Sequence, residues 1–131
     1  MKELITAGLA SMNLLDRVPP QAPEQLAEYG RLLLEKNQVM NLTAIREPDQ
    51  VARLHMLDCA ALLPCADLTG ARTLLDVGTG AGFPGLPLKI LLPQLDVTLL
   101  DSLNKRVDWL NEVSAQLGLT GVRAIQGRAE E

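Results

Sequence analysis

The residues best suited to chemistry are glycines and carboxylates in the middle of the sequence. The segment from Asp76 to Gly85 has the sequence DVGTGAGFPG and follows a short apolar run, while Asp101 ends a second apolar run. Glycines placed directly after a buried strand let the backbone turn sharply and let a ligand approach main-chain atoms closely. We therefore predict that this segment binds a nucleotide-type ligand; the alternative is a glycine-rich turn without a ligand.

Two kinds of nucleotide fit the glycine spacing, and the flanking residues separate them. The pattern G-x-G-x-x-G that begins at Gly80 matches the dinucleotide fingerprint formally. However, the first glycine after the apolar run is Gly78, and counting from it places Phe83 at the third glycine position. Pro84 and Pro87 also remove amide donors from the helix start that would face a pyrophosphate. No Gly-Lys-Ser/Thr follows, which excludes a phosphate-binding P-loop.

One carboxylate, Asp76, favours S-adenosylmethionine over a dinucleotide, and a second, Asp101, supports a ribose without choosing between the two. Because S-adenosylmethionine carries a sulfonium and an ammonium group and no phosphate, the carboxylate of Asp76 can reach its amino-acid part directly or through water. The backbone of Gly78 and Gly80 would pack beside that ligand. Asp101 is placed to accept hydrogen bonds from ribose hydroxyls, a role that NAD sites share. The alternative for Asp101 is an ordinary acid at a helix N-terminus that interacts with the helix dipole.

The elements that position these residues alternate between strands and helices. A short apolar run with β-branched members, bounded by glycines, predicts a buried strand over 73–77, and two further strands are predicted over 96–100 and 122–125. Helical apolar spacing predicts helices over 86–92 and 103–117, the second of them with Ser102 as its N-cap. Because the connections are short, this order calls for a parallel sheet with right-handed crossovers.

The residues before this alternation predict helices. A short amphipathic helix ends before Pro19, a second helix begins at Pro23, and a third opens at Pro48. We therefore divide the chain into an N-terminal helical segment, residues 1–70, and the first half of a ligand-binding α/β domain, residues 71–131. A sheet of only three strands would leave an apolar edge and face uncovered, which soluble proteins avoid. We therefore expect these residues to belong to a longer domain, or another chain to cover the edge.

Composition and charge narrow the class of protein. The 131 residues suit a single domain, and with 47% apolar but only 2% aromatic residues the core must be aliphatic. The net charge of −4 is opposite in sign to that of proteins that hold nucleic acid mainly by neutralising phosphates, so a nucleic-acid partner would need a local basic patch. Two cysteines, no signal-peptide pattern and no apolar run of about 20 residues predict a cytoplasmic protein with reduced thiols and no membrane partner.

Several segments resemble one known family. The sequence LDVGTGAGFPGLPL that begins at Leu75, followed by LLDSLNKRV from Leu99, is similar to that of the bacterial small-subunit ribosomal RNA methyltransferase G family, also called glucose-inhibited division protein B. The sequence NLTAIR from Asn41 and the pair His55 and Asp58 match the N-terminal helical part of that family. The resemblance implies a Rossmann-like class I methyltransferase fold with an incomplete parallel sheet and an N-terminal helical segment. We expect the full-length form to be a monomer that acts on the small ribosomal subunit.

The resemblance also implies an activity and a set of site residues. Such proteins transfer a methyl group from S-adenosylmethionine to N7 of a guanine in 16S ribosomal RNA. By position, Gly78, Phe83 and Asp101 would contact the cofactor, and Ala129 and Glu130 would lie beside its adenine. Members of the family continue beyond this point to an arginine-containing loop that completes the site, so the resemblance indicates a chain truncated at its C-terminus.

Methylation at guanine N7 requires no dedicated acid or base. N7 has an unshared electron pair and is unprotonated near neutral pH, so its attack on the methyl group is an in-line displacement that depends on positioning and desolvation. We therefore name no catalytic residue and no metal. For the only histidine, His55, we expect a hydrogen bond to Asp58 that steadies the third helix, and we expect Cys59 and Cys65 to be structural.

Two basic residues are candidates for contact with the RNA. Lys105 and Arg106 begin the helix after Asp101, where they could contact RNA phosphates near the cofactor or be solvated helix residues.

Two further functions stay open: a methyltransferase that acts on another substrate, and a non-catalytic fragment that binds a nucleotide or a partner through its exposed sheet edge. The N-terminal helical segment favours the ribosomal RNA methyltransferase over another methyltransferase.

Overall fold

Helices make up the first part of the chain in the computed structural model, which describes residues 1–65 and 72–128. The α-helices of this part are α1 (Lys2–Ser11), α2 (Ala22–Asn37), α3 (Pro48–Gln50), α4 (Asp58–Ala60) and α5 (Leu62–Cys65). A 3-10 turn spans Leu15–Arg17, and a π-helical stretch, Val51–Leu57, joins α3 to α4. The predicted third helix is therefore present but divided, because apolar spacing does not distinguish a π-helical turn from an α-helical one.

Three parallel strands form the sheet, in the order β1 (Thr73–Val77), β2 (Asp96–Asp101) and β3 (Val122–Gln126). The helix α6 (Gly85–Leu91) connects β1 to β2, and α7 (Asn104–Gln116) connects β2 to β3. The predicted alternation and the parallel pairing are confirmed. In the register Val77 lies opposite Leu100, so β1 and β2 end at the same edge of the sheet.

The start of α7 differs from the prediction. Ser102 is not the N-cap, because the helix begins at Asn104 and Leu103 precedes it without a side-chain cap. The carboxylate of Asp101 accepts the N–H of Leu103 at 3.0 Å. An acid at the strand end thus takes the place of Ser102 as the acceptor at the helix start, and the helix begins one residue later than predicted. Leu103, predicted to join the apolar stripe of this helix, is half exposed.

A single hydrophobic core joins the helical segment to the sheet. The helix α2 packs on α6, and buried side chains from both parts meet there, among them Leu26, Leu33, Leu86 and Leu99. The core is almost wholly aliphatic, as the composition predicts. The predicted boundary between residues 70 and 71 lies outside the described residues.

One face of the sheet carries exposed apolar side chains. Leu75, Val77 and Ile125 are 60%, 49% and 46% exposed, and the register places Val77 and Ile125 on either side of Leu100. The prediction of a buried strand is wrong for β1, in which only Asp76 is buried. Both crossover helices lie on the face of Asp76 and Leu99, and β1 has a described strand partner on one side only. The expected uncovered edge and face are therefore present in the described part of the chain.

Candidate functional site

The residues after β1 form a tight glycine loop, residues 78–85, that is held by the neighbouring strand. The N–H groups of Gly78 and Thr79 both donate to the carbonyl oxygen of Leu100, at 2.8 and 3.0 Å. Gly78 and Gly80 have φ values of 70° and 59°, in the left-handed region that other residues rarely adopt. A Cβ atom at either position would meet nothing within 4 Å. These two glycines therefore face open space, where a ligand can approach the backbone.

The other two glycines of the loop are required by packing. A Cβ atom on Gly82 would lie 2.5 Å from the hydroxyl of Tyr29, and one on Gly85 would lie 3.0 Å from a carboxylate oxygen of Asp76. Four glycines that look alike in the sequence thus divide into a pair on the ligand side and a pair on the core side. The predicted cofactor residues Gly78 and Gly80 are the pair on the ligand side.

Asp76 is buried beneath this loop. Its Oδ2 accepts hydrogen bonds from the Thr79 hydroxyl at 2.7 Å and from the Gly85 N–H at 3.0 Å, while Oδ1 takes part in neither. Burial raises the pKa of Asp76, and these two hydrogen bonds oppose that rise. The side chain therefore braces the loop, a role that the sequence analysis did not assign to it.

Asp101 connects three elements at the carboxyl end of β2. Its Oδ2 accepts the N–H of Gly80 at 2.8 Å, and its Oδ1 accepts the N–H of Leu103. Arg106 of α7 places Nη1 3.5 Å from the same Oδ1. Asp101 acts as the helix-start acid that was considered as the alternative, and it also holds the glycine loop. The ribose role is compatible with this geometry, because a carboxylate can accept more than three hydrogen bonds.

A cavity of about 400 Å³ opens between the ends of β1 and β2. It is lined by Val77, Gly78, Leu100, Asp101, Ser102, Arg106, Gly127 and Arg128. A larger depression, about 580 Å³, lies along residues 47–54, but it contains no residue of the glycine loop. We assign the candidate site to the smaller cavity, because ligands of open α/β sheets bind at the carboxyl ends of the strands.

Lys105 and Arg106, predicted together as RNA contacts, lie in different surroundings. Arg106 lines the cavity and pairs with Asp101. Lys105 lines a separate groove that also includes Lys36 and Asp108. The two predicted adenine contacts, Ala129 and Glu130, lie outside the described residues.

Phe83 is enclosed by aromatic side chains of the N-terminal helices. It stacks on His55 with 4.2 Å between ring centroids and 11° between planes, and it lies 5.5 Å from the ring of Tyr29. Within the described residues, the ring of His55 makes its hydrogen bond to the Thr43 hydroxyl at 2.9 Å and not to Asp58, so the prediction for His55 is wrong. The folded chain brings Thr43 within reach, which helical spacing cannot reveal.

Tyr29 contacts the glycine loop, and sequence reasoning did not identify this contact. Tyr29 is fully buried, and its hydroxyl donates a hydrogen bond to the carbonyl oxygen of Ala81 in the glycine loop. Burial raises the pKa of Tyr29, which keeps the hydroxyl protonated as a donor. The only feature of the sequence that could have drawn attention to Tyr29 is that the chain has a single tyrosine.

The start of α6 offers little to a phosphate group. The N–H of Gly85 donates to Asp76, and the N–H groups of Leu86 and Leu88 donate to the carbonyl oxygens of Gly82 and Pro84. Residue 87 is a proline and has no N–H. A dinucleotide site needs free amides here for the pyrophosphate, so the local geometry fits a ligand without phosphate better.

The described residues offer no evident nucleophile or metal site. Burial raises the pKa of Cys59 to about 12, so its thiol stays protonated. No group of three or more potential metal-ligating side chains occurs in the described ranges. No helix in those ranges is long and apolar enough to cross a membrane.

Comparison with known proteins places the chain in one family. The model of the family described as "rRNA small subunit methyltransferase G" (GidB) matches residues 22–131. Relatives named ribosomal RNA small subunit methyltransferase G in Alkaliphilus metalliredigens and Lachnoclostridium phytofermentans are 54% and 53% identical over 108 residues. In both cases the match covers 82% of this chain and 45% of the relative, so the chain spans less than half the length of these relatives.

A solved structure supports the fold alone. The YcgJ protein from Bacillus subtilis is similar with a TM-score of 0.51 and 24% identity, over 59% of this chain and 32% of that one. The three parallel strands and their crossover helices agree with the expected incomplete Rossmann-like class I methyltransferase fold. With the family model matching most of its length, the chain belongs to the rRNA small subunit methyltransferase G family.

Proposed function

We propose that the protein containing these residues is an S-adenosylmethionine-dependent methyltransferase that methylates N7 of a guanine in 16S ribosomal RNA. The observation that best supports this proposal is the cavity at the carboxyl ends of β1 and β2, where Gly78 and Asp101 meet. Family membership supports the ribosomal RNA as substrate, since the relatives are named for it.

The residues of the cavity fit S-adenosylmethionine. The open backbone at Gly78 and Gly80 leaves room for the ligand, and Asp101 accepts the ribose hydroxyls. Asp76 supplies negative charge beneath the loop, which favours the sulfonium and ammonium groups. Phe83 and, beyond the described residues, Ala129 and Glu130 complete the contacts that the family resemblance implies.

The reaction requires orientation rather than proton transfer. When bound, S-adenosylmethionine would supply an electrophilic methyl group to guanine N7, with its carbon–sulfur bond breaking and S-adenosylhomocysteine as the leaving group. The glycine loop would hold the amino-acid end of the donor and Asp101 its ribose, which is the positioning that an in-line transfer requires. We therefore assign no acid or base to the described residues.

The RNA partner must approach a protein of net negative charge. Lys105 and Arg106 lie in the first turn of α7, and we propose that both contact RNA phosphates, Arg106 at the cavity and Lys105 at the separate groove that it lines. Part of the charge of Arg106 is offset by Asp101, so Lys105 is the freer of the two to bind a phosphate. We further propose that the full-length protein is a monomer that acts in the cytoplasm.

Calorimetric titration tests the cofactor. The chain is titrated with S-adenosylmethionine, S-adenosylhomocysteine and NAD, with Asp101→Ala as the variant and Asp108→Ala on the exposed side of α7 as the matched control. We expect the first two ligands to bind, Asp101→Ala to weaken both, and Asp108→Ala to have no effect. Binding of NAD without binding of the methyl donor would contradict the proposal.

Methyl transfer tests the substrate. The full-length protein is incubated with labelled S-adenosylmethionine and small ribosomal subunits that lack the modification. The RNA is then cleaved chemically at N7-methylguanine. We expect label in 16S ribosomal RNA at one guanine, whereas transfer to protein or to another atom of the base would refute the proposed substrate.

A further inference from the structure

The rarest side chains of the sequence gather at one place. The chain contains one phenylalanine, one tyrosine, one tryptophan and one histidine. Tyr29 lies 5.5 Å from Phe83 and 6.3 Å from Trp109 between ring centroids, and His55 stacks on Phe83 at 4.2 Å. These four residues, which we call the aromatic cluster, come from α2, the π-helical stretch, the glycine loop and α7.

Two members of the aromatic cluster hold the residues on either side of Gly82 in the glycine loop. The hydroxyl of Tyr29 donates to the carbonyl oxygen of Ala81, and the ring of His55 covers Phe83. Between them Gly82 lies so close to the Tyr29 hydroxyl that no Cβ atom fits. The far side of the loop is thereby fixed by the N-terminal helices, just as Asp101 fixes its near side.

His55 is itself held in place by a chain of hydrogen bonds. Its Nε2 lies 2.9 Å from the hydroxyl of Thr43, which also accepts the N–H of Ile45 at 3.2 Å. The backbone N–H of Thr43 donates to the side chain of Asn37 at 3.0 Å, and Asn37 is buried at the end of α2. The orientation of the His55 ring is therefore determined by α2 and the following turn, not by its own helix.

An ordered glycine loop has a direct consequence for binding. Glycine residues lose more conformational freedom on ordering than any other residue. If the loop were disordered without ligand, this entropy would be lost on binding and the affinity would fall. Contacts that order the loop beforehand remove that cost from the binding step.

We propose that His55 and Tyr29 are positioning residues of the cofactor site, which hold residues 81–83 in the shape that the ligand requires. The proposal rests on the proposed function for its ligand, S-adenosylmethionine. It gives the N-terminal helical segment a role in cofactor affinity, although none of its side chains lines the described cavity.

The test compares variants that separate stacking from hydrogen bonding. His55→Ala removes the ring, His55→Phe keeps a ring without the hydrogen bond to Thr43, and Arg53→Ala is an exposed control on the same π-helical stretch. The first measurement is amide hydrogen exchange without ligand. We expect faster exchange at Gly80, Gly82 and Phe83 in His55→Ala, with β2 and α7 protected as in the wild type.

The second measurement is the affinity for S-adenosylhomocysteine. His55→Ala should raise Kd by about three- to tenfold, the factor that corresponds to one aromatic pair, and His55→Phe should restore most of the loss. Arg53→Ala should match the wild type in both measurements. Tyr29→Phe, which keeps the ring and removes only the hydroxyl, should increase exchange of the same loop amides.

The outcomes distinguish a His55 that positions the glycine loop from a His55 that only stabilises the fold. Wild-type exchange of the loop in His55→Ala would overturn the proposal, and so would uniformly faster exchange across β2 and α7, which would show that His55 only stabilises the fold. If the wild-type chain binds no S-adenosylhomocysteine, the proposed function fails for this chain. The exchange measurement still decides the role of His55, since it needs no ligand.

Discussion

Oδ2 of Asp101 lies 2.8 Å from the amide nitrogen of Gly80, so the end of β2 holds the loop that follows β1. One carboxylate thereby fixes the backbone of the neighbouring loop and the first turn of α7. Removal of this carboxylate would leave the part-buried N–H groups of Gly80 and Leu103 without a hydrogen-bond acceptor. Cofactor affinity and loop stability should therefore depend on the same side chain.

Replacement of Asp101 separates these two effects. We expect Asp101→Ala to lower the free energy of unfolding by about 1–3 kcal/mol, because the N–H groups of Gly80 and Leu103 lose their acceptor. Asp101→Asn retains one acceptor oxygen and should lose less stability, while its affinity for S-adenosylmethionine still falls. Urea unfolding and calorimetry measure the two quantities. Equal affinity in the wild type and Asp101→Asn would show that the ribose does not need the carboxylate.

Alanine substitutions should sort the glycines by function. Gly80 and Gly118 both have positive φ, 59° and 72°, and both have open space around a Cβ atom, but only Gly80 belongs to the candidate site. Each alanine variant should lose about 1 kcal/mol of stability through backbone strain. Only Gly80→Ala should also weaken S-adenosylmethionine binding.

Gly82→Ala should be less stable than Gly80→Ala and Gly118→Ala. Its Cβ atom would collide with the hydroxyl of the buried Tyr29, so it should lose about 1–3 kcal/mol beyond the strain. Thermal unfolding of the three variants gives the order. A Gly82→Ala variant as stable as Gly118→Ala would contradict the close packing between the loop and α2.

The buried carboxyl of Asp76 predicts a pH dependence at acidic pH. Burial raises its folded-state pKa above the ordinary value of 3.8, so between these two values the folded chain binds more protons than the unfolded chain. The contribution of Asp76 to stability is present below pH 3.8 and is lost as the pH rises through the folded pKa. Asp76→Asn should remove this slope, and Thr79→Val should keep it while losing a hydrogen bond. Urea unfolding at several pH values between about 3 and 6 provides the measurement.

His55 predicts a slope of the opposite sign at higher pH. Burial lowers its folded-state pKa below the ordinary value of 6.5, so between these two values the unfolded chain binds more protons than the folded chain. Its contribution to stability is present above pH 6.5 and is lost as the pH falls through the folded pKa. Comparison of the wild type with His55→Phe isolates the effect. A slope that persists unchanged in His55→Phe would assign it to another group.

Local patterns predicted the elements, because their ends are marked by residues with strong backbone preferences. The strand over 73–77 was predicted with the bounds that it has, since glycines follow it and apolar β-branched residues fill it. The predicted start of α7 was wrong because a carboxylate in the preceding strand, Asp101, accepts the N–H of Leu103, the residue before the helix. Tertiary contact replaced a local cap.

Contacts between distant residues were beyond the reach of the sequence. Tyr29 and Ala81 are 52 positions apart, and no periodicity relates them. Lys89 is buried, unlike most lysines, because its Nζ donates to the carbonyl oxygens of Pro93 and Leu95 beyond the end of its helix. The exposure of Leu75 likewise depends on which elements cover the sheet, which the strand itself does not encode.

The position of Trp109 gives the chain an intrinsic optical reporter. The indole is 5% exposed and lies 6.3 Å from the ring of Tyr29 in α2. Its fluorescence emission therefore depends on whether α2 stays packed beside α7. Since the chain contains no other tryptophan, its fluorescence arises from this one environment. A red shift of that emission would therefore signal undocking of the N-terminal helices without any attached label.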